Sequence, residues 1–415
     1  MSKFFRLFEE CYLINASKNP SIYNTFTGKV YVVSEKEAKL LSLLEANASI
    51  ENASHQLAIP LEEVSDYLKL YEITGLGTFY KRPHYVTKIA PNYGYEENFW
   101  AKPAPRLFKA FVSLAKTCTR NCTFCNLSTT FSAHDCLTCV GQEQKFKNTV
   151  MPIGIALQSL EVLAALHCRL IQFRVPEIND SNQSEIIEIL KLAGTMNFAK
   201  MSILIGSGKC SHSTFEMLSS LGIRPIFQEV FNAPSDVEDF FQALIPYRNK
   251  ELSFHCVLNG QKEKEIGKQL QKHVSKFPST VFTATALLNE DSAVSTFERS
   301  EFNQSKKVPA VDVHAFGSNI VNNPCLGGTI YINQDGDVSP CPGLVDFRCG
   351  HISKIEDMFS PNSKSNLFSF WNLTKSKLPM CNVCGLKYAC FDCRGLEYHI
   401  SKELCNNTFC PLSMN

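Results

Sequence analysis

Cys118-Thr119-Arg120-Asn121-Cys122-Thr123-Phe124-Cys125 comes three residues after the run Phe-Lys-Ala-Phe-Val-Ser-Leu at 108–114. That run alternates apolar and polar positions with the two-residue period of a strand, so the three cysteines occupy the loop leaving its C-terminal end. In an α/β barrel, chemistry is built on that face. Three thiolates at C-x3-C-x2-C spacing reach three irons of a cubane cluster and leave the fourth iron open to an outside ligand. The thiols alone also fit a zinc site closed by Cys136 or Cys139.

Working outward, the β-then-α alternation continues. Strands are expected at 169–175, 201–205, 224–231, 252–258 and 280–287, with helical stretches between them. With 108–114 they make six parallel strands of an α/β sheet. The apolar stretch 150–168 is interrupted by Gln158, Ser159 and Glu161 and reads as an amphipathic helix. A polar insertion at 128–148 carries His134, Cys136 and Cys139. It reads either as a loop with free thiols or as an extra metal or redox pair. Cys11, Cys168, Cys210 and Cys256 lie in or beside apolar runs and are expected in the core.

Upstream, residues 4–83 read as a small module. Runs at 6–13 and 29–33 are expected to pair as a hairpin through the turn-rich stretch 15–20. Ser34-Glu35-Lys36-Glu37 is a capping box opening a first helix, and further helices are expected from Ser49 and over 60–73, ending at Gly75. Residues 77–80 add a short strand, completing a winged-helix pattern. Such a pattern suggests DNA, but residues 1–85 hold nine Lys or Arg against ten Asp or Glu. That balance, with a whole-chain net charge of +1, excludes nucleic acid held by phosphate neutralisation. Residues 84–105, rich in proline and asparagine, read as a linker.

Downstream, Cys325 and Cys341 flank a hairpin signal in which residues 329–333 and 337–338 surround Asp335-Gly336. Cys381-x2-Cys384, Cys390-x2-Cys393 and Cys405 follow. The hairpin brings Cys325 and Cys341 together. Taken alone, the two C-x2-C pairs also have four-thiolate zinc spacing.

Composition sets the outer limits. At 415 residues, 44% hydrophobic and 20% charged, the chain is long enough for two or three domains. The N-terminus meets Glu9-Glu10 before an apolar signal region forms, and no 18-residue apolar run occurs, so neither a signal peptide nor a membrane span is expected. The expected compartment is the cytosol, where 18 cysteines point to metal ligation rather than disulfides.

With Phe124 in place, the loop resembles the C-x3-C-x-aromatic-C motif of the radical S-adenosylmethionine (SAM) superfamily. The resemblance implies a partial (β/α)6 TIM-type barrel and a [4Fe–4S] cluster held by Cys118, Cys122 and Cys125. It also implies that SAM chelates the open iron and is cleaved to a 5′-deoxyadenosyl radical that abstracts hydrogen. That superfamily's Gly-Gly-Glu motif is replaced by Phe173-Arg174-Val175-Pro176-Glu177, in which Glu177 can supply a carboxylate. Gly206 and Gly208 stand where backbone would approach adenosine, or simply form a tight turn.

The C-terminal cysteines resemble a SPASM domain, and the Cys390-x2-Cys393 variant resembles peptide maturases of the grasp-with-spasm type. This implies two auxiliary [4Fe–4S] clusters. Cys381, Cys384, Cys390 and Cys405 would hold the outer one; Cys325, Cys341 and Cys393 would hold the inner one, its fourth position open or filled by a group such as His314, with Cys349 and Cys410 as spare candidates. The N-terminal module resembles a RiPP recognition element, which implies that a leader peptide adds as a strand to its open edge.

The expected organisation is therefore a winged-helix recognition domain (1–85), a linker (86–105), a radical SAM partial barrel (106–315) and a SPASM domain (316–415). The expected activity is crosslinking of a ribosomally made precursor peptide through a thioether or carbon–carbon bond, fed by an electron-donor protein. The alternative is a catalytically degenerate homologue that presents the peptide to a partner enzyme.

Overall fold

In the N-terminal module, short apolar runs become two separate sheets. The computed structural model describes residues 4–89, 107–115, 136, 149–206, 212–245, 252–258, 262–277, 281–286, 310–360, 366–390 and 392–407. β1 (Phe4–Leu7) pairs antiparallel with β5 (Gly77–Tyr80), while β2 (Cys11–Ile14), β3 (Ser21–Asn24) and β4 (Lys29–Val32) form an antiparallel meander. This corrects the single hairpin expected between 6–13 and 29–33. Glu9 and Glu10 lie in a turn closed by the Cys11 N–H donating to the Phe8 carbonyl at 3.0 Å, which splits the first run in two. The middle partner, Ser-Ile-Tyr-Asn, is too short to show a period.

Three helices follow: α1 (Glu35–Glu45), α2 (Ile50–Leu57) and α3 (Leu61–Ile73). The capping box closes reciprocally. Glu37 N–H donates to Ser34 Oγ at 3.2 Å, and Ser34 N–H donates to Glu37 Oε2 at 2.8 Å. Ala38, Leu41 and Leu44 of α1, with Val64 and Leu68 of α3, pack on Phe5 and Leu7 in a core of the module's own. Each large apolar side chain fully buried there contributes about 1.5–3 kcal/mol.

The middle of the chain is a parallel sheet. Strands β6 (Lys109–Ser113), β7 (Leu170–Val175), β8 (Lys200–Ile205), β9 (Ile223–Phe231), β10 (Ser253–Leu258) and β11 (Val281–Ala286) lie side by side in sequence order, all parallel. They match the expected strands to within a residue or two at most ends. The connections are α4 (Ile153–Ala165), α5 (Gln183–Gly194), α6 (His212–Ser220), α7 (Pro234–Leu244) and α8 (Glu263–Val274). In α4, Ala156, Ser159, Leu160 and Leu163 are buried at helical spacing, and the Ser159 hydroxyl is satisfied by donating to the Ile155 carbonyl at 2.7 Å.

The sheet then continues into the C-terminal region. After α9 (Val313–Val321), β12 (Thr329–Ile332) pairs parallel with β6, covering an edge that would otherwise expose unpaired backbone. β13 (Asp337–Ser339) and β14 (Gly350–His351) extend it antiparallel, to nine strands. The Asp335-Gly336 turn joins β12 to β13, with Gly336 at φ +82°, the left-handed region that favours glycine. A short helix α10 (Leu367–Trp371) packs Trp371 into the core of the sheet, its indole N–H donating to the Thr329 carbonyl at 2.9 Å. The last helix is α11 (Arg394–Ser401). No described helix is long and apolar enough to cross a membrane.

Candidate functional site

The cysteine loop leaves the sheet from the end of β6, between β7 and β12. Leu114 N–H donates to the Arg174 carbonyl at 2.8 Å, and Met151 N–H donates to the Leu114 carbonyl at 2.8 Å. Ala115 then bridges Val150. The excursion from 115 to 150 therefore starts and finishes at one point on the C-terminal rim. Cys118, Cys122, Phe124 and Cys125 lie outside the described residues, as do His134, Cys139, Gly208, Cys210 and Cys410.

Arg174 dominates that rim. It stands on β7 in the stretch Phe173-Arg174-Val175-Pro176-Glu177, and it is 0% exposed. Its Nη1 donates to the Cys136 carbonyl at 2.9 Å and to Gln172 Oε1 at 3.3 Å, and its guanidinium lies 5.9 Å from the Phe111 ring centroid. A cation so placed favours thiolates nearby. Sequence reading passed over this residue, although an arginine inside the run Leu-Ile-Gln-Phe-Arg-Val is itself a signal, because a fully buried charge needs a purpose.

Glu177, half-buried, lies two residues beyond β7, and its carbonyl accepts from Asn182 Nδ2 at 2.9 Å. Gly206 follows β8, its N–H donating to the Val175 carbonyl at 2.9 Å. The structure thus puts both at the same rim, at the ends of adjacent strands.

The C-terminal region holds two cysteine neighbourhoods, the first of them beside Arg174. In the first, the Cys325 thiol donates a hydrogen bond to Cys393, and both lie within interaction range of buried Cys341. The hydrogen bond, more than burial, holds Cys325 well above the ordinary thiol range and lowers Cys393 below it, so Cys393 ionises first. Burial pushes Cys341 up, opposed in part by Arg174. Leu396 N–H donates to Cys393 Sγ at 3.5 Å, a contact that stabilises a thiolate. Cys136 belongs to this group, interacting with both Cys325 and Cys341. His314 is exposed in the first turn of α9.

The second neighbourhood holds Cys381, Cys384 and Cys390. Cys384 N–H donates to the Cys381 carbonyl at 3.0 Å; Lys375 interacts with Cys381 and Cys390, and Tyr23 with Cys384 and Cys390. An ion network braces it. Asp392, fully buried, accepts from Arg394 Nε at 2.7 Å and from Asn323 Nδ2 at 2.6 Å, and pairs with Lys375 Nζ at 3.4 Å. Arg394 Nη1 reaches on to the carbonyls of Leu404 (3.1 Å) and Asn406 (2.7 Å), fixing the backbone around exposed Cys405.

The N-terminal module is stitched onto this second group. Lys18 N–H donates to the Val383 carbonyl at 2.9 Å, Gly385 N–H to the Lys18 carbonyl at 2.8 Å, and Tyr23 OH to the Gly385 carbonyl at 2.8 Å. Asn19 Nδ2 lies 3.8 Å from Cys384 Sγ. Tyr23, Phe316, Val311 and Ala389 form a shared apolar seam.

Cys11, Cys168 and Cys256 are buried in the cores as expected. Burial pushes the Cys11 and Cys168 thiols up to about 12, keeping them protonated and inert. Among the described residues, no three His, Cys, Asp or Glu side chains converge closely enough to hold one metal ion. A single zinc, with Zn–S bonds of about 2.3 Å, needs its sulfurs about 3.8 Å apart. A cubane cluster, which offers each thiolate a separate iron, takes a wider set. Grouped thiols beside Arg174 and Lys375, with Cys341, Cys381 and Cys384 buried, Cys136, Cys390 and Cys393 half-buried and Cys325 reaching the surface, are a donor set that fits it.

No family model and no curated protein matches the chain. Among solved structures, Streptococcus suis SuiB bound to S-adenosylmethionine matches with 12% identity over 97% of this chain and all of that one, at a TM-score of 0.44. The same protein bound to precursor peptide SuiA matches with 13% identity over 94% and 96%, also at 0.44. Histidine-tagged anSMEcpe with bound AdoMet matches with 13% identity over 73% of this chain and 93% of that one, at 0.50. That last likeness is one of fold.

Proposed function

We propose that the chain is a radical SAM enzyme that modifies a ribosomally made precursor peptide. The observation that carries this reading is the group of thiols beside Arg174 (Cys136, Cys325, Cys341 and Cys393), at the rim of the parallel sheet where the loop bearing Cys118, Cys122 and Cys125 departs. The fold shared with a protein that holds S-adenosylmethionine supports it. When bound, a cluster with an open iron supplies the electron that cleaves SAM to a hydrogen-abstracting radical. Cys118, Cys122 and Cys125 would hold that cluster. Glu177 offers a carboxylate toward the SAM amino group, and the Gly206 backbone a close approach for adenosine.

Cys325, Cys341 and Cys393 would hold an inner auxiliary cluster, and Cys381, Cys384, Cys390 and Cys405 an outer one, as in a SPASM domain. Lys375 and Arg174 offset the charge of the thiolates. The N-terminal module serves as the recognition element, with the open side of β4 taking the leader as an added strand. A thioether or carbon–carbon crosslink is the product class, with an electron-donor protein as reductant and the cytosol as compartment.

The test is anaerobic reconstitution with iron and sulfide analysis, then SAM cleavage driven by dithionite, comparing wild type with Cys118→Ala/Cys122→Ala/Cys125→Ala. Wild type should bind about eight to twelve irons, twelve being three cubanes, and release 5′-deoxyadenosine that the triple variant does not. Iron without cleavage would leave the peptide-presenting homologue standing. Two zinc ions and no cleavage would overturn the enzyme reading.

A further inference from the structure

We propose that Cys136 is the fourth ligand of the inner auxiliary cluster, closing a four-thiolate set with Cys325, Cys341 and Cys393. This rests on the iron–sulfur reading above and goes beyond it, because those three cysteines all come from the C-terminal region. Cys136 comes from the loop of the SAM motif itself, eleven residues after Cys125.

The topology makes the meeting possible. β6 has β7 on one side and β12 on the other, with Ser113 in register with Arg174 and Val112 with Ile332. From β12 the hairpin turns at Gly336 and returns through β13 toward Cys341. The loop carrying Cys136 is tied at both ends to the same rim by the bridge between Ala115 and Val150. Both ends of that loop therefore stand beside β12, whose hairpin leads to Cys341.

Arg174 fixes the position. Its 2.9 Å hydrogen bond to the Cys136 carbonyl comes from a buried side chain on a central strand, itself held by Gln172 and Phe111. Arg174 also acts electrostatically on Cys341, and Cys136 interacts electrostatically with both Cys325 and Cys341, which in turn engage Cys393. The four sulfurs come from three separate stretches of chain and form one group. Of the other candidates, His314 is exposed on α9, Cys349 is buried in the core of the sheet with its thiol pushed up to about 12 by burial, and Cys410 lies outside the described residues.

On ligation the Cys136 thiol gives up its proton and its sulfur bonds iron. With four thiolates in place an inner cluster would have no iron free for a substrate thiolate or peptide nitrogen, and would supply electron relay rather than peptide binding. The ligand also ties the SAM loop to the C-terminal region through a covalent chain of metal bonds.

The experiment uses the Cys118→Ala/Cys122→Ala/Cys125→Ala protein, which retains only the auxiliary sites, with Cys136→Ala, Cys136→Ser or Cys139→Ala added. Each is reconstituted anaerobically and read by iron content, Mössbauer and EPR spectroscopy, before and after brief oxidation. The parent and the Cys139→Ala protein should hold about eight irons as two intact cubanes. Cys136→Ala should convert one cubane to a three-iron form on oxidation or lose it, and Cys136→Ser should keep it with an altered spectrum. Spectra and iron content unchanged in Cys136→Ala, or altered by Cys139→Ala instead, would overturn the assignment. A parent holding zinc and no iron would remove the iron–sulfur reading, and the ligand role with it.

Discussion

His255 shows how much a single buried group can decide. It lies on β10, 0% exposed, and burial depresses its pKa to about 4. Unfolded, an imidazole titrates near 6.5. Between those values the unfolded chain takes up a proton that the folded chain refuses, so the stability is complete above about 6.5 and drains as pH falls toward 4. The expected loss is about 3 kcal/mol. Denaturant unfolding at pH 7 and pH 4.5 should show a smaller acid loss for His255→Gln than for wild type. Equal losses would place the imidazole's protonation elsewhere. The complete burial of such a residue, like that of Arg174 or Asp392, is hard to read from sequence, since it is imposed by elements far away in the chain. The Ser34 capping box and the cysteine spacings were legible because their chemistry is complete within a few neighbouring residues.

At the scale of elements, β4 is the outer strand of the meander, paired among the described residues only with β3. The Val33 N–H donates to the Pro20 carbonyl at 2.9 Å, which fixes the antiparallel alternation so that the backbone of Val30 and Val32 faces the open side. Val32 is 53% exposed. If this side takes the leader, Val32→Pro removes one outward donor while leaving the ladder to β3 intact. Binding of the precursor peptide, measured by fluorescence anisotropy, should weaken about tenfold, the worth of one good hydrogen bond. Unchanged affinity would direct attention to another face of the module. The parallel strands were legible as elements because each has a run long enough to show its character, and their order followed from the alternation with helices. The meander was not, since four-residue strands carry too little pattern. Nor was the pairing of β12 with β6, a contact between stretches more than 200 residues apart in a chain whose hairpin signal was purely local.

Over the whole molecule, the N-terminal module and the C-terminal cysteine region meet along one seam. Its tightest point is Gly385, where a Cβ would stand 2.1 Å from the Asn19 carbonyl oxygen and 2.9 Å from Pro20 Cα. Both are backbone atoms that cannot swing aside. Gly385→Val should cost about 2 kcal/mol of docking, roughly a thirtyfold shift toward the undocked module. Limited proteolysis in the 90–106 stretch should then release an N-terminal fragment faster than in wild type. An unchanged rate would show that the seam does not hold the module in place.

The seam also sets an order of manufacture. Asn19 and Cys384 are 365 residues apart, so at about 5–20 residues per second the ribosome makes one roughly 20–70 s before the other. The module has its own core and can fold at once, but the Tyr12, Tyr23 and Val30 side of its meander is not fully covered until the last tenth of the chain emerges. For that interval a newly made face of aromatic and branched side chains stands in water. A chain interrupted before Gly385 keeps it there, offering chaperones and neighbouring nascent chains the surface that the finished protein hides.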